Sequence, residues 1–233
     1  MHRAILLDVY GTLVHDDDEP LAAVCAEVAR TSGVDAAALA AEWDARIWRL
    51  ADGAFGAGFR SLRDLTLVSL AEAGAHLGVE IDAATVCADQ VASWRRLPLF
   101  PDALPFLEAL EAAGVPVCLV SDVDRADLDA LLDHHRISVA AAVSSEEVRA
   151  YKPRPEPFRR ALELLGLDAS EVVHVGNSFT SDVLGAAALG IDTALVVRDS
   201  PPPASDPRLT YRLRALTDLL PQLGTRHPTT QRS

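Results

Sequence analysis

A doubly wound α/β fold, with a parallel sheet covered by helices and interrupted by a helical insertion, follows from three features of the chain. Short continuous apolar runs recur, amphipathic helical patterns alternate with them, and the interval after the first run is too long for a crossover. The first run, Ala4-Ile5-Leu6-Leu7, ends at Asp8 and is followed by the turn residue Gly11. Comparable runs occupy residues 116–120, 172–175 and 193–197, with a weaker one at 138–143. Strands that are apolar along their whole length are buried on both faces, which is the condition of a parallel sheet between helical layers. Helical patterns at 103–113, 125–134, 157–165 and 182–189 supply those layers.

Between the first and second strands lies roughly a hundred residues, where a crossover needs only a dozen or so. Apolar residues there recur at helical spacing over 21–30, 36–50, 61–77 and 83–94. The segment 16–96 is therefore read as an inserted helical cap over the end of the first strand, with 1–15 and 97–233 forming the α/β core. The glycine-rich stretch 53–58 within it reads either as a flexible element facing the site or as an ordinary turn between helices. Prolines at 201–203 and Pro207 break the pattern and form a rigid loop. Residues 209–213 add an edge strand, 216–223 a last helix, and 224–233 a frayed polar tail.

Composition excludes several classes. The chain has 233 residues, 49% of them hydrophobic, which is ample for a core and rules out disorder as its main state. A formal net charge of -13 without a basic stripe argues against nucleic-acid binding. No uninterrupted apolar run is long enough for a membrane span, and Asp8 comes too early for a signal peptide, so a cytoplasmic protein is expected. Cys25, Cys87 and Cys118 show no metal-ligand spacing and read as buried free thiols. Of the 21 basic residues only one, Lys152, is lysine. A lysine that survives where arginine is used everywhere else marks a place for a compact ammonium that a planar guanidinium cannot replace.

Ligands of open α/β sheets bind beyond the carboxyl ends of the strands. Four such ends read together: Asp8-Val9-Tyr10-Gly11-Thr12, Ser121-Asp122, Lys152-Pro153, and Gly176-Asn177-Ser178 with Asp182. Carboxylates, hydroxyls and one ammonium at a single rim suit an anionic substrate and an aspartate nucleophile.

With these four motifs in order, nearly the whole chain resembles the haloacid dehalogenase superfamily of hydrolases, and the insertion resembles that superfamily's helical cap. The resemblance implies that Asp8 forms a covalent aspartyl intermediate that water hydrolyses. It implies that Thr12 and Ser121 offer hydroxyls to the substrate's anionic oxygens, aided by turn N–H groups at Gly11, and that Lys152 neutralises the nucleophile and the developing charge. Asp122, Ser178 and the cap residue Arg49 are further expected substrate contacts. A Mg²⁺ ion would rest on Asp8, the Tyr10 backbone carbonyl, Asn177 and Asp182.

Two departures bear on the reaction. The superfamily's phosphatases usually place a proton-donating Asp where this chain has Tyr10, and a metal-binding Asp where it has Asn177. A phenol is a poor acid for a leaving alcohol, and Asn offers only a neutral oxygen to Mg²⁺. Tyr at that first position is typical of the 2-haloacid dehalogenase branch, which uses no metal and expels a halide that needs no proton. Against that branch, Phe158 stands where it carries Tyr, and the spacing from Asn177 to Asp182 is that of the phosphatases. The cap arginine of the dehalogenases would have to be Arg46 or Arg49. The sequence reading accordingly places a Mg²⁺-dependent phosphatase of a small phosphorylated metabolite first. A metal-independent 2-haloacid dehalogenase and a non-catalytic ligand binder are its alternatives. The expected partner is a small anionic substrate, for a monomer or homodimer.

Three other features are read as structural. His134 and His135 are adjacent on a helix and point different ways, so they read as favourable charge at its C-terminus. Trp43 and Trp48 read as packing within the cap. Asp16-Asp17-Asp18-Glu19 reads as a solvated hinge and N-terminal charge for the first cap helix.

Overall fold

The computed structural model describes residues 2–198 and 206–223. The proline run at 201–203 and the tail 224–233 lie outside the described residues.

Six parallel strands form one sheet: β1 (Ala4–Leu7), β2 (Val117–Ser121), β3 (Ala141–Ser144), β4 (Val172–Gly176), β5 (Asp192–Val196) and β6 (Tyr211–Leu213), in the order β3-β2-β1-β4-β5-β6. From β1 the chain winds outward through β2 and β3 on one side, then returns to lay β4, β5 and β6 on the other. The strand order thus reverses at β1, where a crevice opens between its neighbours at their carboxyl ends. Leu6 is flanked by Cys118 on β2 and His174 on β4, which fixes the register on both sides.

The period-two alternation of β1 feeds two cores. Ile5, Leu7 and Val9 pack with Phe106, Leu128 and Leu110 on one face, while Ala4 and Leu6 pack with Phe158, Ala161 and Val120 on the other. Every residue of β1 is fully buried, as a central parallel strand must be.

After β1 the chain first forms four α-helices: α1 (Asp18–Ser32), α2 (Ala36–Gly53), α3 (Leu62–His76) and α4 (Ala83–Trp94). Their starts are written locally. Asp35, Ser61 and Asp82 each accept a backbone N–H from three residues on, at 2.7, 3.1 and 3.3 Å. They enclose a core of their own around Trp43, Leu39, Cys25 and Leu70. Further helices flank the sheet: α5 (Ala103–Ala112), α6 (Arg125–His135), the single turn α7 (Ser145–Val148), α8 (Pro155–Leu165) and the short α9 (Gly185–Ala187). No helix of the described residues is long and apolar enough to cross a membrane.

The inserted helices are clamped to the sheet domain by charge. Asp127, fully buried on α6, accepts Arg63 Nε and Nη2 at 2.7 and 2.5 Å and Arg95 Nε at 2.7 Å. Asp124 accepts the first N–H groups of α3, from Leu62 at 2.8 Å and Arg63 at 3.1 Å. These donors have no partner within their own helix.

Some elements differ from expectation. The glycine-rich stretch faces the Arg149–Arg154 loop instead of the crevice: Gly56 donates its N–H to Arg149 O at 2.9 Å, and Arg154 lies over the Phe55 ring at 3.2 Å. The helix expected over 182–189 begins earlier as a widened π turn, Phe179–Leu184. The last helix is a 3₁₀ segment, Leu216–Gln222, that contains Pro221.

Candidate active site

Asp8 follows directly on β1, and its N–H continues the ladder to Val175 O at 2.9 Å. The chain then folds back so that Leu13 and Val14 both donate to Val9 O, at 2.8 and 3.0 Å. Gly11 sits at φ +78°, and a Cβ there would overlap the Asn177 amide, so the turn needs glycine for conformation and for space. This turn tucks Thr12 beneath the carboxylate. Its hydroxyl donates to Asp8 Oδ2 at 2.7 Å and is fully buried. The expected Thr12 contact with substrate is therefore corrected: the hydroxyl is spent on orienting Asp8.

Lys152 reaches the same carboxylate from the loop after α7, across a cis Lys152–Pro153 bond. Its N–H donates to Asp122 Oδ1 at 2.9 Å, while Nζ bonds Asp8 Oδ1 at 2.6 Å and Asp182 Oδ1 at 2.7 Å. Asp182 is held further by Ser178 N–H on Oδ2 at 3.0 Å and by His174 Nε2 on Oδ1 at 2.9 Å. A side chain at Gly176 would overlap Asp182, so this glycine lets the carboxylate close on the strand end. The π turn swings Asp182 inward.

His174 was not anticipated from the sequence. It is the polar residue within the apolar strand Val172-Val173-His174-Val175, and it packs edge-on against Phe158 at 5.0 Å between ring centroids. That interruption of a buried strand was the available signal, because a buried polar side chain requires a partner.

Charge follows from this geometry. Burial alone would lower the Lys152 ammonium, but Asp182, Asp8 and Asp122 overcome it and hold the proton firmly. Burial would raise Asp182, yet Lys152 and His174 keep it well below the usual carboxylate range. Burial prevails at Asp8, which is raised despite Lys152 and Thr12. It also pushes Asp122 up to about 7. The Tyr10 phenol is driven far above its ordinary value by burial and by the carboxylates of Asp127, Asp17 and Asp8, so it stays protonated. Its hydroxyl donates to Trp94 O at 3.4 Å.

These groups form the floor of a cavity of about 440 Å³ between the strand ends and the inserted helices. Asp8, Tyr10, Ser121, Asp122, Asn177 and Ser178 line it, together with Lys152 and Asp182. Ser121 is 1% exposed and its Oγ has no protein hydrogen-bond partner, so its hydrogen bond is left to be made on the cavity lining. Gly11 supports Asn177 from behind and is not on the lining. Arg49 is corrected: α2 turns Trp43, Asp44, Ile47 and Trp48 toward the cavity and leaves Arg49 exposed outside it. Arg46 is committed to Glu42 at 2.6 Å and Glu72 at 3.4 Å. The acidic run starts α1 as expected, with Asp18 and Glu19 exposed in its first turn, and Asp16, Asp17 and Asp18 also reach the cavity wall.

A sheet reversing at β1, with an aspartate, a lysine and a second aspartate converging on its tip beside a cavity, is an arrangement suited to an α/β hydrolase. The chain belongs to the haloacid dehalogenase-like hydrolase family, whose model matches residues 2–190. Among curated relatives it is 28% identical over 137 residues to (S)-2-haloacid dehalogenase 4A of Burkholderia cepacia, covering 58% of this chain and 59% of that one. It is 35% identical over 125 residues to a phosphoserine phosphatase of Thermus thermophilus, covering 52% and 48%. The chain thus spans about half the length of the curated relatives it matches. Among solved structures, a dehalogenase is matched at a TM-score of 0.77 and 26% identity over 97% of this chain and 98% of that one. A defluorinating L-2-haloacid dehalogenase is matched at 0.76 and 27%, covering 95% of each.

Proposed function

We propose that this hydrolase is a metal-independent dehalogenase that displaces halide from a 2-haloacid, with the inserted helices 16–96 as its cap. One observation carries the reading: the residues beside Asp8 on the cavity floor are Tyr10, whose phenol is held far above its ordinary value and is a poor acid for a leaving alcohol, and the uncharged Asn177. Magnesium, expected from the sequence, meets donors that do not fit it. Asp182 Oδ1 is shared by Lys152 and His174, its Oδ2 takes the Ser178 N–H, and Asn177 is uncharged. Both departures seen in the sequence, Tyr10 and Asn177, favour the same reaction, because a departing halide needs neither a proton nor a Lewis acid.

In the first step an Asp8 carboxylate oxygen attacks the halogen-bearing carbon, forming a C–O bond as the C–halogen bond breaks. Lys152 bonds Asp8 and favours its ionised form against burial, Thr12 orients it, and the Ser121 hydroxyl, without a protein partner, binds the substrate carboxylate. Water then adds to the carbonyl carbon of the Asp8 ester and expels a 2-hydroxyacid. We assign the water's proton to Asp122, which lines the cavity and, at about 7, is a competent base, whereas Asp182 is held too acidic to serve.

The phosphatase reading is favoured by the Asn177 to Asp182 spacing and by the Thermus relative. A panel of 2-haloalkanoates and an aryl phosphate, each assayed with EDTA and with Mg²⁺, separates the two. Halide release that EDTA leaves unchanged is the expected result, and phosphate release that requires Mg²⁺ would replace this proposal by the phosphatase.

A further inference from the structure

The groups above occupy only the cavity floor. Its upper wall carries Asp16, Asp17, Asp18 and Asp44, and no basic side chain. Lys152, the one basic residue on the lining among the described residues, is spent on Asp8 and Asp182. A wholly anionic substrate would meet like charge at its far end.

That wall is built, not merely acidic. Asp17 Oδ2 accepts Gln90 Nε2 at 2.6 Å and Trp94 Nε1 at 2.7 Å. The carboxylate fixes the amide orientation, since only the NH₂ of Gln90 can donate to it. The other end, Gln90 Oε1, is an acceptor without a protein partner, on a cavity-lining side chain only 2% exposed. An orphaned acceptor at that depth calls for an N–H donor from a ligand. Nearby, Asp44 Oδ1 accepts Trp48 Nε1 at 3.0 Å. Burial raises the Asp44 carboxyl, and the charges of Asp17 and Asp18 add to that, a repulsion that a bound cation relieves. All 3 tryptophans of the chain, Trp43, Trp48 and Trp94, line this same cavity. Trp43 is fully buried in the helical core, which leaves the indoles of Trp48 and Trp94 to attract an organic cation. Among the described residues no three acidic, histidine or cysteine side chains converge as metal ligands, so the donors suit an ammonium better than an inorganic ion.

We propose that Asp17, Asp44, Gln90, Trp48 and Trp94 bind a primary ammonium at the far end of the substrate, which is therefore a molecule with an anionic reacting end and a cationic distal end. The inference rests on the hydrolase reading of the cavity, but the ammonium site can be tested without turnover. Because Trp48 and Trp94 line the cavity with exposed surface, intrinsic fluorescence reports on its contents. n-Butylammonium titrated into the full chain should give a saturable change that n-butanol does not. Asp44→Asn and Gln90→Met should each weaken binding about five- to tenfold, while the inactive Asp8→Asn binds normally. Circular dichroism checks that each variant is folded, and Asp17→Asn stands in where one is not. In a second arm, an ω-amino 2-bromoalkanoate should exceed its chain-matched alkanoate in kcat/KM, and Asp44→Asn should erase the preference. Absence of saturation, an equal response to n-butanol, or saturation by Mg²⁺ alone that the same variants abolish would overturn the proposal. If no haloacid turns over while n-butylammonium still saturates, the dehalogenase reading fails and the ammonium site stands.

Discussion

Asp8→Asn and Lys152→Met should both abolish turnover yet move stability in opposite directions. The three side chains of Asp8, Lys152 and Asp182 are 7%, 3% and 2% exposed, so the triad is a buried cluster of two anions on one cation. Removing Lys152 leaves two carboxylates facing each other out of water, a loss of about 3–5 kcal/mol. For a domain of this size that lowers Tm by roughly 6–20 °C. Removing the Asp8 charge leaves Lys152 and Asp182 as a matched pair, and the Asn oxygen still accepts from Thr12 or Lys152. Because burial raises Asp8, the folded state binds its proton more tightly than the unfolded chain does. Asp8 therefore favours folding only below the ordinary carboxylate range and opposes it as pH rises through the raised value. At pH 7 its replacement should change stability by about 0 to +2 kcal/mol. Thermal denaturation by circular dichroism at pH 7, run beside a halide assay, measures both effects. Equal destabilisation by the two variants would refute the shared-cation description.

Turnover should rise with pH through about 7 as Asp122 loses its proton, and Asp122→Asn should be slow and lack that limb in a pH–rate profile. Asp127→Asn should loosen the inserted helices by about 1–3 kcal/mol, at the low end because Arg63 and Arg95 are 40% and 39% exposed and regain water, with faster proteolysis of 16–96 as the readout. Gly11→Ala should cost at least about 1–2 kcal/mol from its left-handed backbone alone, and should lose activity as Asn177 is displaced; a wild-type Tm would contradict the turn geometry.

The residues legible in the sequence were those whose position depends on strand ends. Asp8 and Ser121 stand at the ends of apolar runs and Lys152 and Asp182 in the loops beyond two others, and a parallel sheet brings such ends to one rim whatever the rest of the chain does. What was not legible depends on how a turn or a helix faces. Thr12 reads as a substrate hydroxyl until the turn of Val9 to Val14 is seen to bury it under Asp8. Arg49 and Asp44 share one helix, and periodicity alone does not say which of them faces the crevice. The Asp127 clamp joins residues distant in sequence, and no local pattern marks it. His174 could have been found, because a histidine in the middle of a fully apolar parallel strand has to be hydrogen-bonded to something.

Oxygen labelling in a single turnover tests the covalent role of Asp8 most directly. With enzyme in excess over the best haloacid of the panel, in water enriched in oxygen-18, the hydroxyacid should carry an unlabelled oxygen taken from Asp8. The peptide containing Asp8 should gain the label, read by mass spectrometry. Label in the first-formed product with Asp8 unlabelled would mean that water attacks the substrate directly, and would contradict the account.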